Sequence, residues 1–434
     1  MLAILFFIIF AAIIQNTLYY HNMKTKKWYP WAVVALLWVV ALLNYMDRQM
    51  LSTMQESMKV DIAELRKAEA FGALMAVFLW VYGLVSPFAG VVADKFSKKW
   101  LVVASLFVWS LVTFLMGYAT SFEQLYALRA IMGVSEALYI PSALSLITDW
   151  HTGRSRSLAV GIHMTGLYMG QAVGGFGASI AASLSWHTTF HWFGIIGICY
   201  SLVLIALLHD SPKAIATARE ERQEERGRRF GALHGLGVVL STWTFWVLLF
   251  YFAAPSLPGW ATKNWLPTLF SESLGIPMSQ AGPLSTITIA VSSFIGVLVG
   301  GTLSDRWVQR NLRGRIYTSA IGLGLTIPAL LLLGFGHSLL PIVGAGLCFG
   351  IGYGMFDANN MPILCQIIPA KYRATAYGFM NMTGVFAGAA VTQLLGKWSD
   401  GGNLGTGFAM LAIVVVVALV LQLACLKPKA DDVA

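Results

Sequence analysis

Apolar residues fill this chain in runs of about twenty, separated by short polar stretches, and that spacing predicts helices that cross a membrane. From Met23 onward there are twelve such runs, roughly 31–51, 71–92, 100–118, 125–147, 158–182, 190–208, 242–270, 284–303, 316–335, 339–363, 375–395 and 407–426. About twenty apolar residues span the hydrocarbon core as helix, and only helices or closed barrels satisfy their backbone there. No alternation of barrel type is present. The expected fold is an all-α membrane protein with twelve transmembrane helices in two six-helix bundles, 23–208 and 234–434. Residues 209–233 between them read as a cytoplasmic linker helix, with Glu224–Arg228 and Glu225–Arg229 at i,i+4 spacing. The seventh run holds Pro255, Pro258 and Gly259, which predicts a kink.

Composition agrees with a membrane chain. Charged residues make up 11% and the mean hydropathy is +0.69, against about 25% charged in a soluble domain. The net charge of +9 would point a soluble chain towards nucleic acid. Here basic loops explain it, and no nucleic-acid partner is expected. With Met23 inside, cytoplasmic segments hold 22 Lys and Arg and external loops hold 5, Lys263 included. That bias places both termini in the cytoplasm, and the compact loops suit a bacterial inner membrane. Residues 1–22 are apolar with no basic start, a poor signal peptide. Translation is expected to begin at Met23, leaving 1–22 as a misassigned extension. The four cysteines lack metal spacing and read as small buried packing residues. No metal, cofactor or ATP-binding glycine loop is expected, and the chain is read as a monomer in lipid.

Charges inside the runs change the picture from a membrane anchor to a machine. Asp47 and Arg48 interrupt the first run, Arg129 and Glu136 the fourth, and Asp357 the tenth. A charge at bilayer depth costs about 2.5–3.5 kcal/mol on insertion scales, so it persists where it faces a cavity, a partner or a substrate. Arg129 and Glu136 are two turns apart and share a helix face, with Gly133 between them allowing a neighbouring helix close. They form either a permanent bridge or a working pair.

The two halves also echo each other. Gly90-x3-Asp94-Lys95 matches Gly301-x3-Asp305-Arg306 at an offset of 211. Glu136-x4-Pro141 matches Asp357-x4-Pro362 at 221, and the segment from Arg156 to Gly161 matches that from Arg373 to Gly378 at 217. Three matches in the same order, each at the equivalent helix, indicate a tandem repeat around a central cavity.

The loop motif Gly90-x3-Asp94-Lys95-x2-Lys98-Lys99 resembles that between helices 2 and 3 of the major facilitator superfamily, with Ser97 in place of the usual glycine. Asn44-Tyr45-Met46-Asp47-Arg48, Arg129-x3-Gly133-x2-Glu136 and Asn264-Trp265-Leu266-Pro267 resemble its anion:cation symporter family, which includes hexuronate, aldonate and sialic acid carriers. The first of these elements also resembles spinster-type lipid transporters. The symporter resemblance implies proton coupling through Asp47 and Glu136, and substrate contact through Arg48, Tyr45, Tyr82 and Gln171, with Arg129 as supporting charge. It implies a gating role for Gly90, Asp94, Lys95, Gly301, Asp305 and Arg306. Lys263 and Asp357 have no clear counterpart in that family. They are expected either to pair across helices 7 and 10 or, for Lys263, to snorkel at the external interface. Asn360 and Asn381 are candidates for sugar hydroxyls, and Trp265 for a stacking surface. Tyr168 and Gln171, three apart, share a face.

The expected activity is secondary import of a small carboxylated solute, a sugar acid, by proton symport with alternating access. A substrate carboxylate and a protein carboxylate would compete for one arginine, which grips either bidentately. Export of a lipid or amphipathic drug, and sodium coupling, stand as alternatives.

Overall fold

The computed structural model describes residues 28–151, 155–211, 243–368 and 373–428. Residues 1–22, most of the 209–233 linker and the side chains of Gly90, Asp94 and Lys95 lie outside the described residues. The described chain forms twelve helical spans. They are α1 (Tyr29–Thr53), α2 (Ala68–Lys95), α3 (Lys98–Met116), α4 (Phe122–Ala137 and Tyr139–Trp150), α5 (Arg156–Gly174 and Gly177–Leu184) and α6 (Trp186–Leu207). The second six are α7 (Trp243–Leu274), α8 (Met278–Val308), α9 (Gly314–Phe335), α10 (Leu339–Asp357 and Asn360–Ile367), α11 (Arg373–Asp400) and α12 (Leu404–Cys425). Nine are long and apolar enough to cross a membrane. The three outside that set are α5, α7 and α11; α5 and α7 supply polar residues to a cavity between the halves.

Prolines explain two of the three breaks. A proline has no N–H for the carbonyl four residues back and clashes with it. Pro141 therefore disrupts α4 at Leu138, and Pro362 disrupts α10 at Ala358 and Asn359. The repeat thus sets a helix break one or two residues after an intramembrane acid in each half. In α7 the expected kink is not a break: one helix runs through Pro255, Pro258 and Pro267. The carbonyl that Pro267 frees, that of Lys263, accepts from Gln49 Nε2 of α1 at 2.8 Å, so a neighbouring helix satisfies it.

Glycines set how closely helices approach. Gly166, Gly170 and Gly174 of α5 lie against the carbonyls of Trp38, Leu42 and Met46 of α1, a ladder of small residues at four-residue spacing. Gly133 of α4 lies against Phe78 and Tyr82 of α2. A Cβ at Gly166 would sit 2.7 Å from the Trp38 carbonyl oxygen. Gly166→Val is therefore expected to lower stability by about 1–3 kcal/mol, the usual range for overpacking. Thermal unfolding in detergent checks this, and an unchanged midpoint would contradict it. The cysteines differ from expectation. Cys199 is exposed and Cys348, Cys365 and Cys425 are half-buried, with Cys348 and Cys425 packed at the edge of the core.

The halves meet at one end. Asp400 of α11 accepts from the backbone N–H groups of Ala68 and Glu69 at 2.7 and 2.8 Å, capping α2 across the interface. Lys397 pairs with Glu69 at 3.3 Å, and Ser179 donates to the Ser279 carbonyl at 2.7 Å. Towards the other end contact thins among the described residues: a Cβ at Gly161 or Gly378 would meet none of them within 4 Å. Phe88 and Leu158 there are 66% and 58% exposed. The interface is thus shut at the end carrying the α1–α2 connection and parted at the end carrying Lys98, Lys99, Arg310 and Arg313.

Candidate functional site

Asp47 and Arg48 are consecutive on α1, so their side chains leave the helix about 100° apart and meet different neighbours. Arg48 turns towards α4, where its Nε donates to Glu136 Oε2 at 2.5 Å, with side-chain exposures of 12% and 0%. Asn44, one turn earlier, donates Nδ2 to the same oxygen at 2.8 Å. The guanidinium lies over the rings of Tyr45, Phe78 and Tyr82, at 5.1, 4.8 and 4.9 Å from their centroids. Such rings attract a cation through their negative faces and hold it without neutralising it.

Asp47 turns the other way. Its Oδ2 accepts from Thr113 Oγ1 at 2.6 Å, and it lines a small crevice with Trp109 and Ser110 of α3 and Phe193 of α6. Asp47 and Arg48 thus meet different partners, Thr113 of α3 and Glu136 of α4, and of this stretch of α1 it is Tyr45 that lines the cavity between the halves. Arg129 and Glu136 form no bridge. Seven residues rise about 10.5 Å along a helix, which exceeds ion-pair reach although the two share a face. Arg129 instead lies 4.5 Å from the Phe78 ring centroid, with Nη1 3.0 Å from Met132 Sδ.

Four buried atoms of this cluster have no hydrogen-bond partner among the described residues: Asn44 Oδ1, Arg48 Nη2, Arg129 Nε and Glu136 Oε1. Buried polar groups are normally paired, and exceptions call for an explanation. Arg48 and Glu136 each use one atom on the other and leave one without a partner among the described residues.

Beyond Tyr45 the halves enclose a cavity of about 610 Å³, open mouth included. Tyr45, Tyr168 and Gln171 line it from α1 and α5, and Lys263, Tyr353 and Asp357 from α7 and α10. Tyr168 and Gln171 do share this wall. Lys263 is not an external snorkelling residue. It sits in the cavity lining, its Nζ 4.7 Å from the Trp260 ring centroid, and so leaves the external count of basic residues. Lys263 and Asp357 face one cavity, but no ion pair joins them among the described residues. Asp357 accepts instead from Asn360 Nδ2 at 3.2 Å, which makes Asn360 a support behind the wall.

Other expected residues fall elsewhere. Trp265 is fully buried, its Nε1 donating to the Thr392 carbonyl at 2.9 Å. It packs on Phe71 at 6.3 Å, so the stacking surface expected there is corrected to a seal between halves. Asn381 lies on the α2–α11 contact, 3.4 Å from Ser86 Oγ. In the second gating copy, Gly301 has nothing within 4 Å of a Cβ, Arg306 is exposed, and Asp305 lies 3.7 Å from Arg315 of its own half.

Sequence reasoning missed Phe78, Thr113, Tyr353 and the bond made by Asn44. Phe78 and Tyr82 are one turn apart on α2, an aromatic pair on one face that was a usable signal. Nothing in the sequence brings Thr113 to Asp47, 66 residues away.

Twelve helical spans, nine of them long and apolar enough to cross a membrane, halves that meet at one end, and a buried charge cluster beside the cavity between them define a multi-pass membrane transporter. Residues 37–392 match the family model of the Major Facilitator Superfamily, and the chain belongs to that family; it is a transporter and not an enzyme. It is 26% identical to the D-galactonate transporter of Escherichia coli O6:H1 (strain CFT073), over 89% of this chain and 92% of that protein. It is 24% identical to the chloroplastic ascorbate transporter of Arabidopsis thaliana, over 85% and 72%. A solved bacterial homologue of the human lysosomal transporter Spinster, in an inward-facing and occupied conformation, superposes with TM-score 0.75 at 18% identity, over 92% and 97%. That likeness is one of fold.

Proposed function

We propose that this protein carries a small organic anion, a sugar acid, across a bacterial inner membrane in symport with protons. The observation that supports this best is the Arg48–Glu136 pair: one guanidinium nitrogen is held at 2.5 Å while Nη2 has no hydrogen-bond partner among the described residues. A proton on Glu136 removes its negative charge and releases Arg48 to a substrate carboxylate. Loss of that proton restores the internal pair and expels the anion. Relatives named for galactonate and ascorbate transport support a sugar acid.

Charge balance supports the coupling. The charges discussed within the spans are three cations, Arg48, Arg129 and Lys263, and three acids, Asp47, Glu136 and Asp357. One bound proton leaves one positive charge in excess, which complements a monoanion. Such a cycle moves no net charge and runs on the pH gradient alone. The basic loops at the parted end orient it towards the cytoplasm, so the site would here open inwards, and alternating access follows from rocking of the halves about it.

The test is uptake by proteoliposomes with an acidic exterior. Labelled D-galactonate should accumulate above its equilibrium level, and a protonophore should abolish the excess. No uptake of any aldonate, hexuronate or sialic acid would refute the substrate class. Accumulation that follows a sodium gradient and ignores pH would refute the proton.

A further inference from the structure

We infer that Lys263 and Asp357 hold the hydroxylated end of the substrate, and that they select a polyhydroxylated monoanion over a dianion or a zwitterion. This rests on the reading of the protein as an organic-anion carrier and assigns the cavity wall that α7 and α10 supply.

The two side chains carry opposite charges and line one cavity, and no ion pair joins them among the described residues. Separate supports keep them from collapsing together. Pro267 frees the Lys263 carbonyl, which Gln49 of α1 holds at 2.8 Å, while the ammonium leans on the Trp260 ring. Asp357 ends the first segment of α10, and Asn360 holds it from across the break that Pro362 creates. Each charged group thus has a neighbour of its own, the Trp260 ring for the Lys263 ammonium and Asn360 for the Asp357 carboxylate.

The chemistry of the gap follows. An ammonium only donates hydrogen bonds and a carboxylate only accepts them. A group that satisfies both must donate and accept at once, which a hydroxyl does. A second substrate carboxylate at this pair would gain Lys263 but meet Asp357, and a substrate ammonium would gain Asp357 but meet Lys263, so each sets one attraction against one like-charge contact in low dielectric and neither bonds both groups. The phenols of Tyr168 and Tyr353 and the amide of Gln171 extend the same donor-and-acceptor lining. A carboxylate at Arg48 and hydroxyls at Lys263 and Asp357 would also span the two halves, so that the substrate itself ties them.

Binding to the purified full chain is measured with four probes: D-galactonate, galactarate, hexanoate and 6-aminohexanoate. Wild type should bind galactonate about tenfold or more tightly than each of the others, since a site built to bond hydroxyls rejects analogues without them. In Lys263→Gln and Asp357→Asn the preference for galactonate over hexanoate should fall towards one, and Asp357→Asn should admit galactarate. Galactarate or 6-aminohexanoate binding wild type as tightly as galactonate would overturn the inference. So would an unchanged preference in both variants, provided they unfold at the wild-type temperature. Should either variant fail to fold, the wild-type series decides alone. If no probe binds wild type, the carrier reading falls and takes this one with it; if galactonate binds without selectivity, only this one falls.

Discussion

Arg48→Ala is expected to lose uptake of the anion by about a hundredfold or more. Truncating one partner of a buried, hydrogen-bonded charge pair costs about 2–5 kcal/mol, and each 1.4 kcal/mol is tenfold. The guanidinium is the group through which the N-terminal half would grip a carboxylate, and it lies among the rings of Tyr45, Phe78 and Tyr82. Arg129 lies on Phe78 and is itself buried. Arg48→Lys should recover little. An ammonium is a point charge without the planar fork, and it stacks less well on rings. The measurement is initial uptake of D-galactonate in proteoliposomes, with thermal unfolding in parallel to exclude misfolding. Wild-type uptake in a folded Arg48→Ala protein, with apolar solutes competing, would turn the reading towards lipid or drug export.

The second large effect concerns Glu136→Gln. The amide oxygen can still accept from Arg48, but it carries no charge and takes no proton. Accumulation driven by an acidic exterior should vanish, while exchange of external for internal substrate continues. The sign follows from competition. In wild type, anion affinity should rise as pH falls, because protonated Glu136 no longer competes for Arg48. In the variant, affinity should stay high and independent of pH. Exchange and accumulation are read in the same vesicles, so a folding defect, which removes both, is told apart from uncoupling. Accumulation in the variant at the wild-type level would show that the proton is carried elsewhere. The neighbouring acid on the far face of α1, Asp47, would then be the next residue to test.

How far the site could be read in advance depended on the range of the interaction. Arg48, Glu136 and Asp357 stand out because a charge inside an apolar run is conspicuous in one dimension. The glycine ladder of α5 was legible for the same reason, since a four-residue spacing of small residues already states that another backbone comes close. Partner choice was not legible. Arg129 and Glu136 look paired from their shared face, yet Glu136 pairs with Arg48, 88 residues away, because α4 rises too far between them. Trp265 looked available for stacking, but the face of α7 that carries it packs onto α2 and α11.

Hydrophobic run length, the basic-residue bias and the repeat are properties of the chain taken locally, and by themselves they determined twelve membrane helices in two related halves with charges held at depth. The tertiary structure alone decided which of those charges meet. Hydrophobic burial fixes helix faces without naming neighbours, so that Asp47 turns to Thr113 while Arg48 turns to Glu136, and Lys263 moves from a loop edge into a cavity wall. It also decided which end of the molecule is shut, since contacts such as Asp400 with the start of α2 join segments more than 330 residues apart that no local pattern relates.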